Sequence, residues 1–140
     1  MALPTKLTLE VVTPDRALVR EEIDEVQVPG SEGYLGILPG HTPLLATLKV
    51  GELWFRKGQE HQDLAIVGGF VEVLADRVTV LAQIAERAHE IDVGRAEAAR
   101  KRAEERLARP SADFDMERAR VALIKSLIRL QVASRARTRA

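Results

Sequence analysis

The chain has 140 residues, 46% hydrophobic and 30% charged, with 21 Lys/Arg balancing 21 Asp/Glu and no cysteine. That length suits one or two small domains with cores of their own, and the missing thiols exclude disulfide staples, thiolate catalysis and Cys-based metal sites. No basic-then-apolar leader opens the chain and no apolar run approaches the ~20 residues that span a bilayer, so the expectation is a protein that meets a membrane only through a partner.

Up to about residue 88 the hydrophobic pattern has period two. Leu7, Leu9 and Val11 alternate with Lys6, Thr8 and Glu10, Val26 and Val28 flank Gln27, and Val71, Val73, Val78 and Val80 continue the theme. Turn residues fall at Thr13-Pro14-Asp15, Pro29-Gly30-Ser31, Lys57-Gly58-Gln59 and Ala75-Asp76-Arg77. Between the second and third of these, Gly33-Tyr34-Leu35-Gly36-Ile37-Leu38-Pro39-Gly40-His41-Thr42-Pro43-Leu44-Leu45 sets glycine and proline among aliphatic residues, which reads as short strand, tight corner, short strand. Gly68-Gly69 marks a bulge or a close backbone approach. Many short strands with no helical pattern between them predict an antiparallel β-sandwich over residues 1–88.

From Ile91 the composition turns to alanine, arginine, glutamate and leucine, all strong helix formers. Asp92 is placed to cap a first helix, on which Val93, Ala96, Ala99, Ala103 and Leu107 form one narrow stripe. Pro110-Ser111-Ala112-Asp113 breaks it. A second helix carries Met116, Ala119, Leu123, Leu127 and Leu130 on one face, widened by Ile124 and Ile128. The fold class expected is therefore α+β, an N-terminal antiparallel β-sandwich followed by an antiparallel two-helix hairpin over residues 89–140. The alanine stripe buries little apolar area, and Gly94 in the first turn costs about 1 kcal/mol against alanine, so the hairpin reads as loosely held and open to a second arrangement. Charge is uneven along the chain. Residues 1–91 hold eight Lys/Arg against fourteen Asp/Glu, whereas residues 115–140 hold seven against two, a basic arm on an acidic body.

Catalytic chemistry finds little footing. His41 lies in the glycine-proline corner, His61 in a polar turn and His89 at the domain junction, with no spacing that suggests a triad or a metal site. His41 reads as a turn or interface residue. Gly68-Gly69 lacks the Gly-Lys-Ser/Thr ending of a phosphate loop. Arg95 and Arg102, seven apart, share a helix face and could grip phosphate oxygens or simply face solvent.

Four blocks carry a family likeness: the corner Gly33 to Leu45, Gly68-Gly69-Phe70-Val71-Glu72-Val73, Val78-Thr79-Val80-Leu81-Ala82, and Glu86-Arg87-Ala88 followed by Ile91-Asp92-Val93-Gly94-Arg95-Ala96. In that order and spacing the chain resembles the epsilon subunit family of the bacterial F-type ATP synthase over nearly its whole length. The resemblance implies a non-catalytic central-stalk protein whose sandwich binds the gamma subunit and rests on the polar loops of the c-ring. It places Glu32, Gly36, Pro39, Gly40 and His41 on the face toward stalk and ring. It implies further that the hairpin is a regulatory switch, whose extended second helix meets acidic segments of the beta and alpha subunits through Arg118, Arg120, Lys125 and Arg129 and blocks hydrolysis. Some relatives bind ATP in the folded hairpin through an Ile-Asp-x-x-Arg-Ala motif. That pattern falls here on Ile91, Asp92, Arg95 and Ala96, with Glu86, Arg102, Lys125 and Arg129 completing the set. Lys125 stands where the pattern has arginine, and a lysine cannot supply a planar fork. ATP is thus implied as a regulatory ligand, with no cofactor required.

The resemblance also implies a peripheral protein on the cytoplasmic face of the bacterial inner membrane, bound only through the complex, and 16 Arg against 5 Lys leans toward a GC-rich bacterial source. Two other readings stand beside it. One is a nucleic-acid-binding module lying along phosphates with its basic C-terminal helix, although Arg135, Arg137 and Arg139 have no aromatic neighbour for base stacking. The other is a small nucleotide sensor acting alone, which leaves the corner unexplained.

Overall fold

The structure, a computed structural model, describes residues 2–110 and 115–139. Eight strands run β1 (Leu7–Val12), β2 (Ala17–Ile23), β3 (Glu25–Gly30), β4 (Gly33–Ile37), β5 (Leu44–Leu48), β6 (Gly51–Lys57), β7 (Glu60–Val73) and β8 (Arg77–Arg87). A 3-10 turn, Ala88–Glu90, leads into α1 (Val93–Ala108), and α2 (Met116–Arg139) ends the chain. Every strand pairing among the described residues is antiparallel except β1 with β8, which run parallel from Thr8 beside Arg77 to Val12 beside Leu81. Strands so far apart in sequence give no local signal of their direction.

The layers are joined by one long hairpin. β5 meets β7 from Leu44 opposite Val73 to Leu48 opposite Gly69, and β6 keeps the same register from Gly51 opposite Ile66 to Lys57 opposite Glu60. β5 and β6 therefore act as one arm that bends just after Leu48, where Gly69 stands opposite Leu48 and Gly68 N donates to Lys49 O. Both glycines have positive φ, 63° and 119°, and a Cβ on Gly69 would lie 2.0 Å from the Leu81 carbonyl oxygen. Register is unchanged on either side, so this is a close backbone approach at a corner and no residue is inserted.

The alternating residues do what their period requires. Leu7, Leu9, Val11, Val71, Val73, Val78 and Val80 are fully buried in a core completed by Phe55, Leu53, Leu64 and Ile66. The turns hold at Thr13-Pro14-Asp15, where Thr13 Oγ1 accepts from the amides of Asp15 and Arg16, and at Gly58-Gln59 and Leu74–Arg77. The second turn is displaced. Ser31-Glu32 closes the β3–β4 hairpin, while Pro29 and Gly30 remain within β3, opposite Tyr34 and Gly33.

Asp92 caps α1 as expected, its Oδ1 accepting from Arg95 N at 3.0 Å, and Asp115 caps α2 through the amides of Glu117 (2.9 Å) and Arg118 (3.3 Å). The expected break at residues 110–113 lies mostly outside the described residues. Of the α1 stripe, Ala96 and Ala103 are buried while Val93 is exposed. The face expected for α2 needs correction. Leu127 and Ile124 are exposed, and the buried positions are Ala119, Ser126, Val132 and Ala133. The helix packs on two neighbours, α1 and the outer face of β6–β7, so no single stripe describes it. Ser126 is tolerated inside because its hydroxyl donates to Leu123 O at 2.8 Å.

Candidate functional site: a basic helix docked on the sandwich

The site begins with the strand period. On β6, Leu53 and Phe55 point into the core, which turns Glu52 and Trp54 to the opposite face. Glu52 stands opposite Ala65 on β7, and Ala65 opposite Glu86 on β8, so an alanine lies between two carboxylates in one row across three strands. The alanine leaves room for a helix. α2 settles there, with Val132 and Ala133 packed against Ala65 and Ile91 in a small apolar cluster flanked by Ala88 and Ile128.

Charged contacts hold the helix on either side of this cluster. Arg129 Nε lies 2.8 Å from Glu86 Oε1, and its Nη2 donates to Oε2 at 3.1 Å. Beyond the cluster, Arg135 Nε is 3.2 Å from Glu52 Oε2, and Gln131 Nε2 donates to the same oxygen at 3.2 Å. Glu52 is 3% exposed, a carboxylate kept from water by the helix and the hydrogen bonds it receives. The linker below is pinned separately. Arg16 grips Glu90 with two hydrogen bonds of 2.6 and 3.0 Å, and Glu90 also accepts from Arg87 N at 2.9 Å. The Arg16 guanidinium, helped by that amide, holds the Glu90 carboxyl below its ordinary pKa.

Of the residues expected to form an ATP site, the structure brings Glu86 and Arg129 into direct contact. Ile91 and Ala96 are buried as packing residues, Asp92 is engaged as a cap, and Arg95 and Arg102 are exposed on α1, with Lys125 partly exposed on α2. The residues expected to meet a basic-arm partner divide. Arg118 and Arg120 face solvent, Arg120 paired with Glu117 at 2.9 Å one turn away, whereas Arg129 turns inward. Glu52 and Gln131 carry no signal of this contact in the sequence, and Arg135 reads there only as one of the basic residues of the C-terminal helix. Alternation did place Glu52 opposite to Leu53, but that face reads as solvent until a helix is known to cover it.

The corner forms a second surface. Glu32 and Gly36 are exposed, and Pro39, Gly40 and His41 are partly so. Gly40 N donates to Ala75 O at 2.7 Å, tying the corner to the β7–β8 turn, and His41 Nδ1 lies 2.6 Å from the Thr42 carbonyl oxygen. Large apolar side chains are bare elsewhere on the sandwich too: Leu45 is 72% exposed, and Phe70 and Leu81, directly opposed on β7 and β8 beside Val12 and Pro14, are each 53% exposed. Glu32, Leu35, Leu44 and Leu45 line a groove of about 470 Å³ between the β3–β4 turn and β5. Among the described residues, no three His, Asp or Glu side chains gather as a metal site.

Comparison with known proteins gives a consistent result. Residues 6–88 match the family model for the ATP synthase delta/epsilon chain β-sandwich domain, and residues 89–134 that for its long α-helix domain. The chain is 51% identical over 130 residues to the ATP synthase epsilon chain of Syntrophobacter fumaroxidans, covering 93% of this chain and 97% of the relative. It is 47% identical over 133 residues to that of Solibacter usitatus, covering 95% and 99%. In fold it resembles a chain of the Euglena gracilis mitochondrial ATP synthase, solved by cryo-EM with OSCP, F1 and c-ring in rotational state 1, with TM-score 0.82 at 22% identity, covering 99% of this chain and 84% of that one.

Proposed function

The chain belongs to the ATP synthase delta/epsilon family as an epsilon subunit, a non-catalytic component of the central stalk, and from that premise we propose that its sandwich transmits torque while its hairpin brakes hydrolysis. The corner around Glu32, Gly36, Pro39, Gly40 and His41 rests on the polar loops of the c-ring, and the bare apolar residues of the sandwich bind gamma. One observation carries the coupling reading. A sandwich whose own core is complete still leaves Leu38, Leu45, Phe70 and Leu81 more than half exposed, surface that a partner would cover. No described helix is long and apolar enough to cross a membrane. In this reading the chain is held at the cytoplasmic face of the bacterial inner membrane through its contacts with the complex.

In the brake reading the hairpin alternates between the docked form and an extended form whose α2 reaches acidic segments of the beta and alpha subunits. Arg118 and Arg120 are exposed and Lys125 partly so when docked, Arg120 held only in a solvent-exposed pair with Glu117, and Arg129 joins them on leaving Glu86. ATP is the regulatory ligand of the docked form, gripped by Arg95, Arg102, Lys125 and Arg129. Arg129 spends Nε and Nη2 on Glu86, which leaves Nη1 to reach a phosphate. No cofactor is needed for the stalk role.

Pull-down with tagged chain tests the coupling reading. Gamma and then the hexamer should be retained, and Phe70→Ser with Leu81→Ser should release them while the isolated chain stays folded. Retention undiminished in that double variant would move the gamma contact elsewhere.

A further inference from the structure

The two charged contacts of α2 are placed symmetrically about its deepest residue. Arg129 and Arg135 lie three residues before and three after Val132, which is fully buried on Ala65. At 100° per residue these positions diverge by about 60° to either side of Val132 and sit about 4.5 Å along the axis in each direction. On the sandwich, Glu86 and Glu52 stand to either side of that alanine, on β8 and β6. The helix is thus seated by a small apolar contact and clamped at two diagonal points. The points differ chemically. The Glu86–Arg129 pair belongs to residues invoked for nucleotide. The Glu52 point does not: it lies two strands away, on β6, and its donors Arg135 and Gln131 are outside that set.

We propose that Glu52, with Gln131 and Arg135, is a nucleotide-independent latch that holds the hairpin docked and sets how readily the brake is released to extend. The proposal rests on the switch reading above. Glu52 is the more buried of the two carboxylates, its side chain 4% exposed against 24% for Glu86, so loss of the Arg135 cation while the helix stays down leaves a negative charge less well balanced and still kept from water. The helix relieves that cost by lifting, which returns the carboxylate to solvent. The alanine-rich seam with α1 moves with the helix and does not oppose this. Loss of the latch therefore appears as a shift between two hairpin positions, and the sandwich stays folded because Glu52 faces away from its core.

The chain has no cysteine, so spin labels at Gln59→Cys, on the β6–β7 turn, and Ala122→Cys, on the exposed side of α2, report the separation of sandwich and hairpin in the full chain by pulsed dipolar spectroscopy. The unaltered latch should give one dominant short distance. Arg135→Gln, at a half-exposed position that does not threaten folding, should lower the docked-to-extended ratio about tenfold, ~1.4 kcal/mol, and Glu52→Gln, which leaves no buried charge behind, should lower it by a smaller factor. The double variant should go no further than the larger single change, since both remove one interaction. Saturating ATP should leave the effect of Arg135→Gln in place. Distances unchanged in Arg135→Gln and Glu52→Gln, while Glu86→Gln produces a longer population, would overturn the latch and keep the switch. If Glu52→Gln combined with Glu86→Gln also yields a single short distance, the switch reading falls and the latch with it.

Discussion

The sandwich core and the hairpin seat are built from opposite materials. Inside the sandwich, Phe55 and fifteen leucine, isoleucine and valine side chains are buried almost completely, joined by strand ladders between residues far apart in sequence. Under the hairpin the buried residues are chiefly alanines, Ala65, Ala96, Ala103, Ala119 and Ala133, with Ile91, Val132, Ser126 and Glu52 among them. A full aliphatic core has one close-packed arrangement, and any displacement opens cavities. Alanine contacts framed by ion pairs come apart at lower cost, because small side chains give up little area and the charges regain water. The difference teaches where each proposed function can reside: transmitting torque would need the first kind of contact, and a brake the second.

The largest predicted effects come from damaging the sandwich. Phe55→Ala should cost about 3–5 kcal/mol and lower the melting of the whole chain. Val132→Ala, on the seat, should loosen the hairpin while the melting of the sandwich moves little. A fragment ending at Ala88 should show β-sheet circular dichroism and bind gamma; an unfolded fragment would erase the distinction between the two regions. Next in size is the brake. Neutralising Arg118, Arg120 and Lys125 together should raise ATP hydrolysis by the reconstituted complex several-fold with assembly intact, and unchanged hydrolysis would make the arm a solvated face.

Much of this contrast is legible in the sequence, and the gaps have physical causes. Leu7, Leu9 and Val11 announce a half-buried strand because their period is two, and Asp92 announces a helix start because its carboxylate can reach the amide of Arg95. The parallel course of β1 beside β8 is set by contacts about seventy residues apart, which no local pattern records. The face of α2 misleads for a different reason. Leu127 and Ile124 continue a plausible leucine stripe, yet the helix touches two elements at once and turns its small and polar residues inward. Glu52 is the sharpest case. A carboxylate alternating with Gly51, Leu53 and Phe55 has the pattern of a solvent-facing strand residue, and only the seat of α2 buries it.

A smaller effect concerns nucleotide. Arg95→Ala or Arg102→Ala should weaken ATP binding to the isolated chain about tenfold, as expected for loss of one charged fork, and Lys125→Arg should strengthen it by adding a planar donor pair. Calorimetry with no heat at millimolar ATP would leave these residues as helix surface and Asp92 as a plain cap. The smallest effect is the linker pin. The pKa of Glu90 is depressed in the folded state, so its stabilisation is complete above the ordinary carboxylate range and fades as pH falls through the lowered value. The stability difference between wild type and Glu90→Gln should therefore be present at neutral pH and shrink below about pH 4. A difference independent of pH would detach the pin from the charge of Glu90.

Native-state hydrogen exchange on the intact chain compares the two regions directly. The account predicts two classes of amide: those of α1 and α2 exchanging through an opening that leaves β7 and β8 protected, with docked-state ligand slowing only the first class. A single class, in which helix and strand amides exchange together at the rate of global unfolding, would show one cooperative unit and contradict it.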